Sequence, residues 1–355
     1  MQVLTLYSFL FGLLFLCPAL AQDTTSTEEN SSITTTTSSS STASPTRASL
    51  ADTAAEHGAG RFGEQLVNNL AGNAPRARTA FAVRDDSFRT RFKRQADDNA
   101  QFLYQVSDQL VTAADLRGFT GSIIGTLGSE PGLDGRGQVV LSQGQRASSG
   151  ACNGTAAIEL FSGLGNSITI LEEDIEFDGG ILHIVSGQFT QPSTLLESLR
   201  ATSETTTFAS YLASNDRLST VNSVTVFAPS NAALASAYGT AATLSGPELT
   251  ALIDAHVVPS FAAYSPLLVN GARFRTLDGV DILVSTLPDG SIVLNDDINV
   301  IKTDIVTQNG VVHIIDRSDT GSDTVFTGGA SNKPELDRRM LGPLAAVVGG
   351  ARLWF

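Results

Sequence analysis

The feature that most constrains the fold is a duplication within the chain. GGILHIV at 179–185 and NGVVHII at 309–315 lie 130 residues apart, and an Asp-Ile pair precedes each of them at the same offset. Two looser pairs recur in the same order, namely RTAFAVRDDSF (78–88) with VTVFAPSNAAL (224–234) and FLYQVSDQLVTAADL (102–116) with LIDAHVVPSFAAYSPL (252–267). A conserved order of blocks predicts two copies of one structural unit.

Local patterns in the second copy place helices before strands. Ser230-Asn231 provides an N-cap for an alanine-rich helix, and Pro247 lies near the first position of another helix with one apolar face. From residue 272 the apolar period becomes two, with Pro288-Asp289-Gly290 as a hairpin signal. Each copy is therefore predicted to be an α+β unit.

The first copy is longer between its middle and last blocks, which predicts an insertion at about 128–160. This segment holds Cys152 and the sequon Asn153-Gly154-Thr155. Since an N-glycan requires a solvent-facing loop, the segment is predicted to be exposed and Asn153 to be glycosylated. Cys152 is interpreted as a buried free thiol or as one that pairs between chains.

Composition excludes several classes of function. The chain of 355 residues has 22 Lys+Arg against 36 Asp+Glu, a formal charge of −14 and a pI of about 4.6. An acidic chain is not attracted to phosphate backbones, so no nucleic-acid partner is predicted. Four histidines and two cysteines leave little material for a metal cluster, and no cofactor is predicted.

The first 48 residues are predicted to lie outside the folded units. Residues 1–21 combine an apolar stretch with the small-residue pattern Ala19-Leu20-Ala21, which is typical of a secretory signal peptide, although a membrane anchor is the alternative. Residues 22–48 are rich in Ser and Thr, which predicts a disordered, glycosylated stalk with a sequon at Asn30. Domain 1 is predicted at 49–190 and domain 2 at 191–317.

The last segment, 318–355, is predicted to be a linker followed by a possible glycolipid (GPI) anchor signal. Small residues, a polar spacer and an apolar tail occur in the required order, and the candidate attachment residues are Gly329, Ser331 and Asn332. Arg352 interrupts the apolar tail, so an ordinary extension is the alternative.

The motifs TVFAPSNAAL, LIDAHVVP and NGVVHIID resemble the fasciclin domain family. The resemblance covers domain 2 along its length, whereas domain 1 shows it mainly through GGILHIV and FLYQVSDQLVTAADL. It implies two tandem domains, each a seven-stranded β-sandwich or wedge with several packed helices. It also implies a secreted or cell-surface protein of adhesion or matrix, similar to fungal members of the family.

The resemblance implies two candidate partner-binding residues. Fasciclin domains often carry a Tyr-His pair in the middle region, and this chain keeps one member in each copy, Tyr104 in the first and His256 in the second. His256 also lies on an apolar helix face, which favours a core position. His183 and His313 alternate with apolar residues in the last strands and are predicted to be buried, hydrogen-bonded histidines.

One basic segment stands out in the acidic chain. It includes Arg84, Arg89 and Arg91, and it ends with the dibasic pair Lys93-Arg94. Three interpretations remain open: a solvated helix face, a site for an acidic polysaccharide or acidic partner, and a processing site after Arg94.

The sequence thus predicts a non-enzymatic adhesion or matrix protein that is secreted or held at the cell surface, with cell-wall or matrix polysaccharide or surface proteins as partners. Membrane association is expected only through the GPI anchor. The alternatives are a luminal vacuolar or endomembrane protein and a secreted polysaccharide-modifying hydrolase. The hydrolase would require a pocket that gathers Glu172, Asp174 and a histidine, although these acids are predicted to lie in a turn.

Overall fold

The computed structural model describes residues 47–70, 77–87, 95–118, 120–129, 131–142, 157–214, 218, 221–239, 244 and 246–318, and four strand residues near the C-terminus. The predicted signal peptide, both sequons, Cys152 and the candidate anchor residues lie outside these ranges. Within them, no helix has both the length and the apolar character that crossing a bilayer requires.

Two groups of elements follow one another along the chain. The helices are α1 (Leu50–Glu56), α2 (Gly60–Leu70), α3 (Gln95–Tyr104), α4 (Ala113–Leu116), α5 (Leu195–Ala201), α6 (Thr206–Ala213), α7 (Asn231–Tyr238) and α8 (Gly246–Ala255). The strands are β1 (Thr79–Val83), β2 (Val106–Ser107), β3 (Ser122–Ser129), β4 (Gly137–Ser142), β5 (Glu159–Phe161), β6 (Ser167–Phe177), β7 (Gly180–Val185), β8 (Val224–Pro229), β9 (Val257–Val258), β10 (Arg273–Arg275), β11 (Asp281–Thr286), β12 (Ile292–Leu294), β13 (Ile298–Thr307), β14 (Gly310–Ile315), β15 (Val347–Val348) and β16 (Ala351–Arg352).

The two groups have the same sheet topology, which confirms the predicted duplication. The strand order is β2-β1-β7-β6-β5-β4-β3 in domain 1 and β9-β8-β14-β13-β12-β11-β10 in domain 2. In each domain the first strand pairs in parallel with the last, β1 with β7 and β8 with β14. The predicted fold, two tandem seven-stranded α+β units with packed helices, is therefore confirmed.

Local sequence signals explain where several helices begin. Ser230 caps α7 by accepting a hydrogen bond from the N–H of Ala233, as the sequence predicted. Thr194 and Glu197 form a capping box at the start of α5. Helices α5, α6 and α7 pack apolar side chains such as Leu199, Phe208 and Leu234 into one buried cluster with Val226 of β8 and Val312 of β14.

The predicted insertion is narrower in the structure. Residues 137–142 form β4, a strand of the domain 1 sheet, so this part of the 128–160 segment is not a loop. The β4–β5 connection runs from 143 to 158, whereas the equivalent β11–β12 connection runs only from 287 to 291. The additional residues of domain 1 are therefore concentrated between β4 and β5.

Apolar side chains join the two domains. Val139 and Leu141 of β4 cluster with Tyr264, Val306 and Val311 of domain 2, and all five are buried. Burial of such side chains removes apolar surface from water and stabilises the pair by about 25 cal/mol per Å². Strand β4 thus serves both as a member of sheet 1 and as a contact surface for domain 2.

Polar groups fix the same interface. The Asp134 carboxylate accepts hydrogen bonds from Asn222 Nδ2 and Ser223 Oγ, both at 2.9 Å. These two hydrogen bonds lower the pKa of Asp134. The Ser223 N–H also donates to the Gly132 carbonyl at 3.0 Å. Domain 2 is therefore held to domain 1 by directional contacts as well as by apolar packing.

Candidate binding surfaces

A buried polar site in domain 2 is built around His313 on β14. Its Nδ1 accepts a hydrogen bond from the Asp304 N–H at 3.3 Å, and its Nε2 lies 2.8 Å from the Ala263 carbonyl oxygen. These partners require a neutral ring protonated on Nε2, because Nδ1 must accept and Nε2 must donate. The ring also stacks on Phe227, with centroids 5.5 Å apart.

Domain 1 repeats this arrangement around His183. The Asp174 N–H donates to His183 Nδ1 at 3.3 Å, and Nε2 lies 2.9 Å from the Val111 carbonyl oxygen. Phe81 takes the place of Phe227 in the stacked pair. Both histidines are fully buried, which confirms the prediction that they are satisfied core residues.

The buried histidines give folding stability a defined pH dependence. Desolvation lowers the pKa of His183 and of His313 below the ordinary value of 6.5, although Asp174 and Asp304 oppose this effect. The unfolded chain binds more protons between the depressed value and 6.5, so we expect the free energy of unfolding to fall as pH decreases through this window. Urea denaturation at several pH values between about 7.5 and about 5.5 measures how steeply the free energy of unfolding changes with pH.

The control for this pH dependence is His313→Asn, which removes one of the two buried rings. The free energy of unfolding should fall less steeply with decreasing pH than in the original chain, because one of the two lowered histidine pKa values is then absent. A flat profile for the original chain, or an unchanged slope in the variant, would contradict the assignment.

Tyr104 and His256, the two candidate partner-binding residues of the middle region, have buried side chains. Tyr104 is 2% exposed and its hydroxyl donates to the Val139 carbonyl at 2.9 Å, next to the domain interface. Burial raises the pKa of this hydroxyl, and the nearby Tyr264 of domain 2 raises it further. His256 is 1% exposed, and its Nδ1 lies 2.7 Å from the Leu252 carbonyl oxygen. Both side chains serve packing because their positions face the core.

Gln105, which corresponds to His256 in the duplication, is a weak point of domain 1. It is fully buried, and neither its Oε1 nor its Nε2 has a hydrogen-bond partner among the described residues. An unsatisfied buried polar group costs about 1–3 kcal/mol. We therefore expect Gln105→Met, which keeps the side-chain length, to increase the free energy of unfolding by about 1–3 kcal/mol in urea denaturation.

The matched control is Gln101→Met, in helix α3, which ends one residue before Gln105. Gln101 is also buried, but its Nε2 donates to the Phe189 carbonyl at 2.9 Å, so this change should destabilise the chain. Equal effects of the two substitutions would contradict the role assigned to Gln105.

The basic segment is only partly described. Arg84 follows β1 and is exposed, and a turn continues over 85–87. Arg89, Arg91, Lys93 and Arg94 lie outside the described residues. The polysaccharide-binding and processing interpretations of this segment therefore stay predictions.

The acidic run of domain 1 lies in a strand, so its predicted placement in a turn is wrong. Glu172 and Asp174 belong to β6, where the register with β7 shifts on both sides of Glu172. Glu172 forms an ion pair of 2.6 Å with His57, the C-cap residue of α1. Glu173 forms an ion pair of the same length with Arg117. These carboxylates thus hold other elements against β6.

In the described ranges, no three acidic, histidine or cysteine side chains gather closely enough to hold a metal ion.

A cleft of about 310 Å³ opens between the two domains. Its walls combine residues of both domains: Leu141, Ser142, Phe161, Gly165, Ser291, Ile292, Val300, Ile301, Lys302, Thr303 and Asp304. Glu172, Asp174 and the histidines do not line it, so the pocket expected of a hydrolase does not form here. No local pattern in the sequence predicts this cleft, although the duplication aligns Lys302 with Glu172 and so shows a reversal of charge.

Comparison with known proteins finds similarity to fasciclin proteins. The Fasciclin domain family matches residues 203–318. Three fungal proteins named fasciclin-like arabinogalactan proteins are similar in sequence. CTB11 of Cercospora beticola is 29% identical over 60% of this chain and 55% of its own length. The protein elcF of Phaeosphaeria nodorum is 28% identical over 44% of this chain and 50% of its own length. A protein of Arthroderma benhamiae is 30% identical over 43% of this chain and 36% of its own length.

This chain spans about half the length of the first two relatives and about a third of the last. Among solved structures, a FAS1 domain pair from the insect cell adhesion molecule fasciclin I is similar over 74% of this chain and 97% of that chain. Sequence identity is 17% and the TM-score is 0.36.

Proposed function

We propose, from the match of residues 203–318 to the Fasciclin domain family, that this chain is a non-enzymatic adhesion or matrix protein that acts outside the cell or at its surface. The family match carries the proposal, because it covers most of domain 2, including all seven strands of its sheet, β8 to β14. The names of the fungal relatives, fasciclin-like arabinogalactan proteins, support a matrix-related role.

The use of polar groups in the described fold supports binding over catalysis. His183 and His313 are buried and engaged by backbone groups, so neither reaches solvent to transfer a proton. Glu172 and Glu173 are held in ion pairs with His57 and Arg117. Catalytic acids and bases need access to a substrate, and these groups instead join one element to another.

The proposal extends to targeting. A secretory signal peptide at 1–21, a glycosylated stalk, N-glycans at Asn30 and Asn153 and a GPI anchor within 329–332 would place the two domains at the cell surface. Weak contacts with cell-wall or matrix polysaccharide or with surface proteins would then gain strength from the many copies displayed on one surface.

Retention on cell-wall material tests the proposed function. Beads coated with the folded chain should hold isolated wall fragments better than beads coated with heat-denatured chain. Equal retention would contradict an adhesive role. Release of new reducing ends from the wall polysaccharide, above the denatured control, would contradict a non-enzymatic one.

Intact mass of the protein recovered from cells, before and after a phosphatidylinositol-specific phospholipase, tests the targeting. We expect loss of residues 1–21, added glycan mass and release by the phospholipase. A chain with the unmodified mass of its sequence would contradict this part of the proposal.

A further inference from the structure

We propose that the cleft between the domains binds a carboxylate-bearing sugar unit of an acidic polysaccharide, with Lys302 as the group that contacts the carboxylate. The choice of a polysaccharide rests on the proposed function, whereas the site and its charge rest on the structure. The cleft volume of about 310 Å³ is at the lower end of the range for ligand pockets, which suits one or two sugar rings.

Lys302 is a cation that the fold leaves available. It is the only lysine in the described ranges, and within them it forms no ion pair. The side chain is half-buried in the cleft wall rather than extended into solvent. A half-buried ammonium is less screened by water than an exposed one, so it binds an anion more strongly.

Domain 1 positions this lysine. Gly165 lies against the Lys302 side chain, and a Cβ at Gly165 would be 3.2 Å from Lys302 Cε and 3.5 Å from Nζ. Gly165 also has a φ of +66°, which glycine adopts without strain. The ammonium is therefore held between a turn of domain 1 and a strand of domain 2, and the site requires the assembled pair.

The duplication provides an internal comparison for Lys302. The equivalent residue of domain 1 is Glu172, which occupies the same bulged position of β6 and is paired with His57. The fold thus accepts either charge at this position, and it does not need a cation there. An unpaired lysine in domain 2 is explained by a ligand better than by packing.

The other walls of the cleft match a sugar ring. Phe161 is half-buried and offers an apolar surface to the C–H face of a pyranose. Asp304 is 5% exposed, and its Oδ1 accepts the Ser265 N–H at 2.8 Å, which leaves lone pairs for a sugar hydroxyl. Thr303 and Ser291 add hydroxyl groups at the rim. A donor for carboxylate and acceptors for hydroxyls together favour an acidic saccharide over a simple anion.

Calorimetric titration of the full chain tests the site with two matched probes: a short oligomer of galacturonic acid, and the same oligomer with its carboxyl groups reduced to alcohols. We expect the acidic oligomer to bind at least tenfold more tightly, because a charge-assisted hydrogen bond is replaced by a neutral one. Lys302→Gln should remove this difference, and Lys302→Arg should retain most of it.

Arg273→Gln is the control variant, since Arg273 is an exposed cation of β10 that does not line the cleft. Its affinity for the acidic oligomer should equal that of the original chain. The proposal is overturned by no binding of the acidic oligomer, by equal binding of both oligomers, by Lys302→Gln without effect, or by an equal loss in Arg273→Gln. Competition by an equal concentration of inorganic sulfate would also overturn it, because the site would then be a general anion site.

The thermal midpoint of each variant establishes that it is folded. If the original chain is retained on wall fragments and Lys302→Gln is retained equally, the cleft assignment fails while the proposed function stands. If neither is retained but the acidic oligomer still binds the cleft, the proposed function fails while the site stands.

Discussion

Replacing Gly310 with alanine is expected to cost more than about 3 kcal/mol, enough to unfold domain 2 at ambient temperature. Gly310 begins β14 beside β8, with a φ of 155° that side chains other than glycine rarely adopt. A Cβ at this position would overlap the carbonyl oxygen of Val224, a backbone atom that cannot rotate away. Relief of the overlap would require β8 and β14, which are adjacent strands of the sheet, to separate.

Thermal and urea denaturation of Gly310→Ala measure this effect. Gly246→Ala is the matched control, because a Cβ at Gly246, the first residue of α8, meets no atom within 4 Å. That control should be neutral or slightly stabilising, since alanine favours helix. A midpoint for Gly310→Ala within a few degrees of the original chain would show that β14 does not lie against β8 as described.

His313→Leu is expected to lower the free energy of unfolding by about 2–6 kcal/mol. Leucine fills a similar volume but can neither accept the Asp304 N–H nor donate to the Ala263 carbonyl. Both backbone groups would then be buried without a partner, and each such group costs about 1–3 kcal/mol. The loss of the ring stacked on Phe227 adds to the effect.

Two further variants test whether the effect comes from the hydrogen bonds of His313 or from the loss of any histidine. His183→Leu should cause a loss of similar size, because domain 1 repeats the same contacts. His57→Gln should cost less than about 1 kcal/mol, since the His57–Glu172 ion pair is partly exposed. A small effect of His313→Leu combined with a large effect of His57→Gln would contradict the assignment.

The duplication, the strands that close each domain and the burial of His183 and His313 could be predicted from the sequence. Alternation of apolar residues around each histidine places its side chain on a known face of the strand. The offset of 130 residues then predicts equal surroundings for both histidines. Short-range patterns sufficed here because the relevant neighbours belong to repeated blocks.

The sites that sequence reasoning missed depend on contacts between distant parts of the chain. The acidic run at 172–174 favours a turn, but Glu172 lies in β6 and pairs with His57, which is 115 residues away. The predicted binding role of Tyr104 rests on the family's Tyr-His pair, whereas its burial depends on β4, which supplies the Val139 carbonyl that its hydroxyl contacts. Lys302 gave no local signal, since the turn that orients it belongs to the other domain.

The parallel pairing of β8 with β14 has a mechanical consequence for a protein tethered to a surface. Register runs from Val224 opposite Gly310 to Pro229 opposite Ile315, so tension applied between the start of β8 and the end of β14 pulls the two strands past each other. All backbone hydrogen bonds between them then bear the load together, in shear, instead of opening one after another. Domain 2 is thereby built to keep its shape while it is stretched.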